Sequence, residues 1–297
     1  MSVFYLILAQ FVTGINITGS KFLVSHLSIV ALLETRFVVG TLILSFFLLC
    51  TRTKKRDSHS QEMIKPRLDG KQWGMLVAQA LCAGMAFNLL MLAGIRLTSA
   101  SIAGLVTSTL PAMIIVLTFL IFKQRITRVK LLCILFATIG LLVVNASGFT
   151  QESVSWMALL GACIVFIAMV PESLYYVLCK AVDIPMSAAK KAWWMNVINA
   201  IAMLPLLYVV DWPSLMALNS LDLLILFLVS LASALFYLFW FKGAGGVSAS
   251  TAGLLTAFMP ISTLLLSYLF LHEKITLIQM IGSLLILISI IFGSRKS

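Results

Sequence analysis

Ten apolar runs, each near twenty residues long, alternate with short polar connections along the chain. They fall near 3–23, 28–50, 73–95, 101–122, 130–147, 156–179, 190–210, 222–241, 248–271 and 276–293. A bilayer core about 30 Å thick takes roughly 20 apolar residues as a helix. Lipid offers the backbone no hydrogen bonds, so a spanning segment is a helix or a strand of a closed barrel. Barrel strands are about ten residues long and alternate strictly. These runs are longer and do not alternate. The pattern predicts an all-α integral membrane protein with ten transmembrane helices. The first run lacks a basic leader region and a clear cleavage site, so it reads as the first helix rather than a removable signal.

Composition agrees with the pattern. Hydrophobic residues make up 61% of the 297 residues and charged residues 10%, against about 25% charged in soluble domains. The net charge of +11 sits between the apolar runs, so it marks topology rather than a nucleic-acid partner. With the N-terminus inside, the inner connections and tail carry 17 Lys and Arg. The outer connections carry 2, Arg96 and Lys274. This bias predicts cytoplasmic termini and an even number of spans. The stretch 51–71 is the longest polar segment and reads as a flexible cytosolic loop.

An internal repeat refines the architecture. Ser99-Ala-Ser-Ile-Ala-Gly-Leu-Val-Thr-Ser-Thr-Leu-Pro111 matches Ser248-Ala-Ser-Thr-Ala-Gly-Leu-Leu-Thr-Ala-Phe-Met-Pro260 at eight of thirteen positions, 149 residues apart. That offset is half the chain, so each half holds five helices and the second half is inverted in the membrane. The expected units are 1–148 and 149–297. Inverted repeats belong to transporters that place the substrate near the midplane, where the halves meet. Pro111 and Pro260 fall near the middle of helices four and nine, where each removes a hydrogen bond and predicts a kink. Gly104 and Gly253 precede them and suit close helix approach. These four are the gating or hinge candidates.

The doubled Ala-Ser-x-Ala-Gly-Leu…Pro helix, the short apolar run after it, the Glu273-Lys274 turn and the following helices with Gly140 and Gly282 resemble the drug/metabolite transporter superfamily of the EamA type. The first half departs from that pattern, with Lys123-Gln124-Arg125 where the family often has an acidic residue. The resemblance implies a secondary transporter that exports or exchanges amino acids and other small metabolites across a prokaryotic inner membrane.

Polar groups inside a membrane are costly and so are candidates for function. Glu172, beside Pro171 in helix six, has no basic residue within four positions. It could take a proton, making protons the coupling ion, or pair with a cationic substrate. Its bland reading is a wetted carboxylate linked to Lys180. Lys21, Glu34 and Arg36 lie toward outer helix ends and read as a structural network, with Arg36 free to bind a substrate carboxylate instead. Gln10, Asn16, Asn88, Asn196 and Asn199 are more often glue between helices than ligands. Asn88 gains weight because its repeat mate is Tyr237. Tyr175, Tyr176, Trp193, Trp194, Tyr237 and Trp240 form aromatic clusters that could stack on a ring or contact an ammonium.

Basic residues near helix ends, rather than deep within them, favour a zwitterionic, cationic or neutral substrate over a phosphate-bearing one. Amino acids come first. Nucleotide-derived metabolites and quaternary amines are the alternatives within the same superfamily, and a channel or an intramembrane enzyme those outside it. The chain has none of the H-E-x-x-H, G-x-S-x-G or Walker patterns that catalysis or ATP drive would need. Five scattered cysteines and three scattered histidines predict neither disulfide nor metal site. The expected partners are a small-molecule substrate and lipid, the expected cofactors none, and the oligomeric state a monomer or homodimer.

Overall fold

A computed structural model describes residues 1–23, 27–56, 68–95, 97, 98, 103, 106–123, 127–146, 156–210, 212–271 and 275–294. Among them, seven helices are long and apolar enough to cross a membrane, and three shorter apolar helices occupy the other expected places. Span one is α1 (Ser2–Leu23) and span two α2 (Ile29–Arg56). Span three is α3 (Gly70–Leu81), a π turn (Cys82–Ala86) and α4 (Phe87–Ile95). Spans four, five and six are α5 (Leu110–Phe122), α6 (Arg128–Ala146) and α7 (Trp156–Ala181). Span seven is α8 (Ala188–Met203), continued by a 3-10 turn (Leu204–Val209). A short α9 (Trp212–Met216) then leads to span eight, α10 (Ser220–Ala244). Span nine is α11 (Ala249–Thr256) with α12 (Met259–Leu271), and span ten is α13 (Leu277–Ser294).

Ten crossings bring both ends of the chain to one face, called here the termini face; the other is the far face. Large apolar side chains stand exposed around the outside, among them Phe46, Phe119, Phe136, Phe166, Phe227 and Phe292, as a surface solvated by lipid requires.

The packing repeats itself. Span one packs on spans eight and nine, and span six packs on spans three and four. Span two packs on eight as seven packs on three, and the pairs two–seven, four–nine and five–ten pack directly. Exchanging the halves maps this set of contacts onto itself. Glycines make it quantitative. A Cβ on Gly94 would lie 2.6–3.0 Å from Gly161 and Val165, and one on Gly243 would lie 2.7 Å from Ser2 and Leu6. Gly94 and Gly243 differ by 149, whereas Ser2 and Gly161, like Leu6 and Val165, differ by 159. The first half therefore carries ten more residues between its second and third spans. Spans five and ten meet at Gly140 and Gly282, where backbone oxygens lie within 2.8 Å of an added Cβ. Small residues allow that approach.

Three expectations change. The stretch 51–71 is not a loop throughout: residues 51–56 continue α2, with Thr51 Oγ1 donating to Phe47 O at 3.0 Å. Gly70 and Lys71 already belong to α3, because Asp69 caps it, accepting from Gln72 N at 2.7 Å. Residues 57–67 and the turn 272–274 lie outside the described residues. Neither proline sits in mid-helix. In both halves the ladder first tightens, Thr109 N to Val106 O and Phe258 N to Leu255 O at 3.1 Å each. The proline then occupies the first turn of a new helix, α5 or α12, where its missing N–H is unneeded. In span nine the predicted kink is an interruption between two helices.

Candidate functional site

Spans one, two, six and eight bring polar and aromatic groups together in the interior. Arg36 of α2 donates from Nη1 to Asn16 Oδ1 at 3.1 Å. Asn16 is held in that orientation by span eight, donating from Nδ2 to Val229 O at 3.2 Å. The guanidinium lies 5.7 Å from the Phe37 ring centre, and its Nε has no hydrogen-bond partner among the described residues. Inserting an arginine into a span costs roughly 3 kcal/mol on translocon scales, so a partly unpaired guanidinium is an expensive feature of this interior. Arg36 therefore turns into the bundle. Glu34 is buried with one carboxylate oxygen unpartnered among the described residues, and the Lys21 side chain lies outside the description.

On span six, Glu172 is half-buried and lies within electrostatic reach of the Tyr176 hydroxyl one helical turn on. Tyr237 of span eight is buried and lies within electrostatic reach of both Arg36 and Glu172. A cation and a carboxylate thus both lie within reach of one phenol. Of the six aromatic residues named above, Tyr175, Tyr176, Tyr237 and Trp240 gather here, whereas Trp194 packs on both Trp193 and Trp73. Tyr175 meets Tyr176 at 5.1 Å and Tyr237 at 6.3 Å between ring centres, and Tyr176 meets Trp240 edge-on at 4.6 Å. Tilted and edge contacts at these distances are favourable quadrupole geometries. Tyr175 Oη and Trp240 Nε1 are buried beside the Cys179 sulfur. Cys82, at the start of the π turn, lies within electrostatic reach of Glu172; nothing in its apolar sequence context signalled that.

Other candidates have different employment. Asn88, repeat mate of Tyr237, donates its amide to the carbonyls of Ala83 and Gly84 in its own helix. Trp193 Nε1 donates to Ser45 Oγ at 2.7 Å and ties span seven to span two. Gln10 is buried with its Nε2 unpartnered among the described residues, while its backbone carbonyl accepts from Ser262 Oγ at 3.0 Å. Gly253 lies against Ile114 of span four, where a Cβ would stand 2.7 Å from the isoleucine. Gly104 lies outside the described residues. Among the described residues no three His, Cys, Asp or Glu gather as metal ligands.

The least legible feature is the π turn. Asn199 of span seven accepts from Met85 N at 3.0 Å, an N–H that the wider turn releases from the α ladder. Gly84 makes room: a Cβ there would lie 2.0–2.2 Å from three atoms of the Asn199 amide. A lone glycine in an apolar run gave no warning of this.

Comparison with known proteins supports the same architecture. The chain is 24% identical to the uncharacterized transporter YetK of Bacillus subtilis (strain 168), over 92% of this chain and 81% of that one. It is 23% identical to the uncharacterized transporter YyaM of the same organism, over 95% and 90%. It is 26% identical to Protein PecM of Dickeya dadantii (strain 3937), over 75% and 73%. A solved crystal structure superposes with a TM-score of 0.76 at 14% identity, covering 98% of this chain and 96% of the other; that likeness concerns the fold. Residues 1–146 and 149–295 each match one family over nearly the whole length, and this multi-pass membrane protein belongs to the EamA-like transporter family.

Proposed function

We propose that this transporter is a secondary carrier for amino acids or closely related zwitterions, working by alternating access between two inverted units, 1–148 and 149–297. The observation that carries the reading is that Arg36 and Glu172 both lie within electrostatic reach of the buried Tyr237. A bound zwitterion puts its carboxylate on Arg36, which has an unused N–H and favours carboxylates through charge-assisted bonds. Its ammonium goes toward Glu172, with the aromatic rings beside it. Without substrate, Glu172 takes a proton, which makes protons the coupling ion. The termini face is cytoplasmic by the charge bias, in a cell's inner membrane, and the direction is export or exchange. The interrupted helices after Val106 and Leu255 supply joints at matching places in the two halves.

Purified protein in liposomes, given labelled amino acids with and without an imposed pH gradient, tests the reading. Saturable flux that follows the gradient is expected, and Glu172→Gln should lose that dependence. Saturable flux indifferent to both pH and the substitution sinks the coupling role of Glu172. No flux of any amino acid in folded protein sinks the substrate class.

A further inference from the structure

Lys180, in the last turn of α7, reaches from span six to span eight. Its Nζ donates to Ala244 O, the last residue of α10, and to Val247 O in the turn that follows. The final carbonyls of a helix have no partner within it, and a cation there is favoured by the helix dipole. This contact therefore pins the end of span eight and the entrance to span nine against span six at the termini face. A cavity of about 190 Å³, lined by Phe122, Lys180, Val247, Ser248 and Ala249, lies beside it. The lysine has room to leave its acceptors.

The repeat gives this contact a counterpart. With the 159-residue offset that relates Ser2 and Leu6 to Gly161 and Val165, Lys180 corresponds to Lys21, in the last turn of α1. With the 149-residue offset of the third and eighth spans, Ala244 and Val247 correspond to Ile95 and Thr98. Ile95 is the last residue of α4, as Ala244 is of α10. The turns match as well: Leu97 N donates to Gly94 O at 3.0 Å, and Gly246 N to Gly243 O at 3.2 Å. Each half thus carries one lysine at the end of its first span and one pair of terminal carbonyls at the end of its third span. Because the halves are inverted, the two sets lie on opposite faces.

We propose that Lys180 and Lys21 are alternating latches. Lys180 holds the termini face closed in the state seen here, and Lys21 takes the carbonyls of Ile95 and Thr98 when the far face closes. The assignment rests on the alternating-access reading but not on the identity of the substrate.

Cys179, beside Lys180 and with its sulfur 3.7 Å from Gln79 Oε1, is a native reporter of the termini face. The experiment uses full-length protein in liposomes, a membrane-impermeant maleimide, and peptide mass spectrometry to score each native cysteine separately. Lys180→Met should raise Cys179 labelling, and Lys21→Met should lower it. The open-to-closed ratio should shift about tenfold, the scale of losing one hydrogen bond to a charged group. Lys180→Arg, which keeps charge and donors, should label like the parent, and the double Met variant should fall between the singles. Unchanged labelling in folded Lys180→Met, or equal increases in both single variants, overturns the proposal. Opposed shifts without amino-acid flux would leave the latches standing and remove the substrate class. Saturable flux with no opposed shifts would do the reverse.

Discussion

Span three and span eight occupy equivalent places in the two halves, yet only one is a regular helix. Span eight runs unbroken as α10, Ser220–Ala244, whereas span three is interrupted by the π turn Cys82–Ala86. The neighbour decides. Asn199 of span seven meets span three with an amide oxygen that takes the freed Met85 N–H. By the 159-residue offset, the corresponding residue facing span eight is Gly40, whose missing side chain leaves Ala234 at ordinary distance, 3.6 Å from an added Cβ. Glycine offers no acceptor, so span eight keeps its ladder. A helix widens where a neighbour supplies a partner for the N–H it gives up, and such turns gather at functional places. Here the turn begins at Cys82, beside Glu172.

This contrast can be broken at three points. Gly84→Ala should do the most damage, because the new Cβ would stand within 2.2 Å of the Asn199 amide. Overpacking of that kind costs about 1–3 kcal/mol, read as a fall in the melting midpoint of the detergent-solubilised protein together with reduced flux. An unchanged midpoint would mean that Asn199 moves aside freely. In an Asn199→Ala background the same glycine change should cost much less, a coupling of roughly 1 kcal/mol or more in a double-mutant cycle. Asn199→Ala alone should come next, at about 1–2 kcal/mol, since it strands the Met85 N–H. Slowed amide exchange at Met85 in that variant would instead reveal a return to the α ladder. Asn196→Ala should do least, about 1 kcal/mol or less, because the small cavity left by this buried side chain is offset by removal of an unpaired oxygen. Asn196 donates only to Ala192 O in its own helix, at 2.9 Å, and its Oδ1 has no partner among the described residues. A large effect there would show that Asn196 Oδ1 serves a ligand.

Residues involved in the candidate site were legible in part. Glu172, Tyr175, Tyr237 and Trp240 stood out because charge and aromatic polar tips are conspicuous in apolar runs, and they do converge. Arg36 read mainly as part of a network at the helix end. Its long side chain instead turns inward to Asn16, a choice that depends on helix rotation and on a carbonyl of span eight. Asn88 gained weight from its repeat mate Tyr237, yet it spends its amide donors on its own helix, because the π turn presents the Ala83 and Gly84 carbonyls to it. Tyr176 and Cys82 acquired meaning only through what lies across from them.

What the chain determined alone was the number of spans, their helical state and the duplication. Those follow from local quantities, the length and apolarity of each run and a matched string of Ser, Gly, Thr and Pro 149 residues apart. Tertiary structure decided where the prolines fall within their helices, which turn widens, and which lysine holds which carbonyls. The last two depend on a hydrogen-bond partner supplied by another span, as Asn199 serves Met85 and Ala244 serves Lys180. In a medium that supplies no partners of its own, the helices satisfy one another, and no single segment carries the information for that pairing.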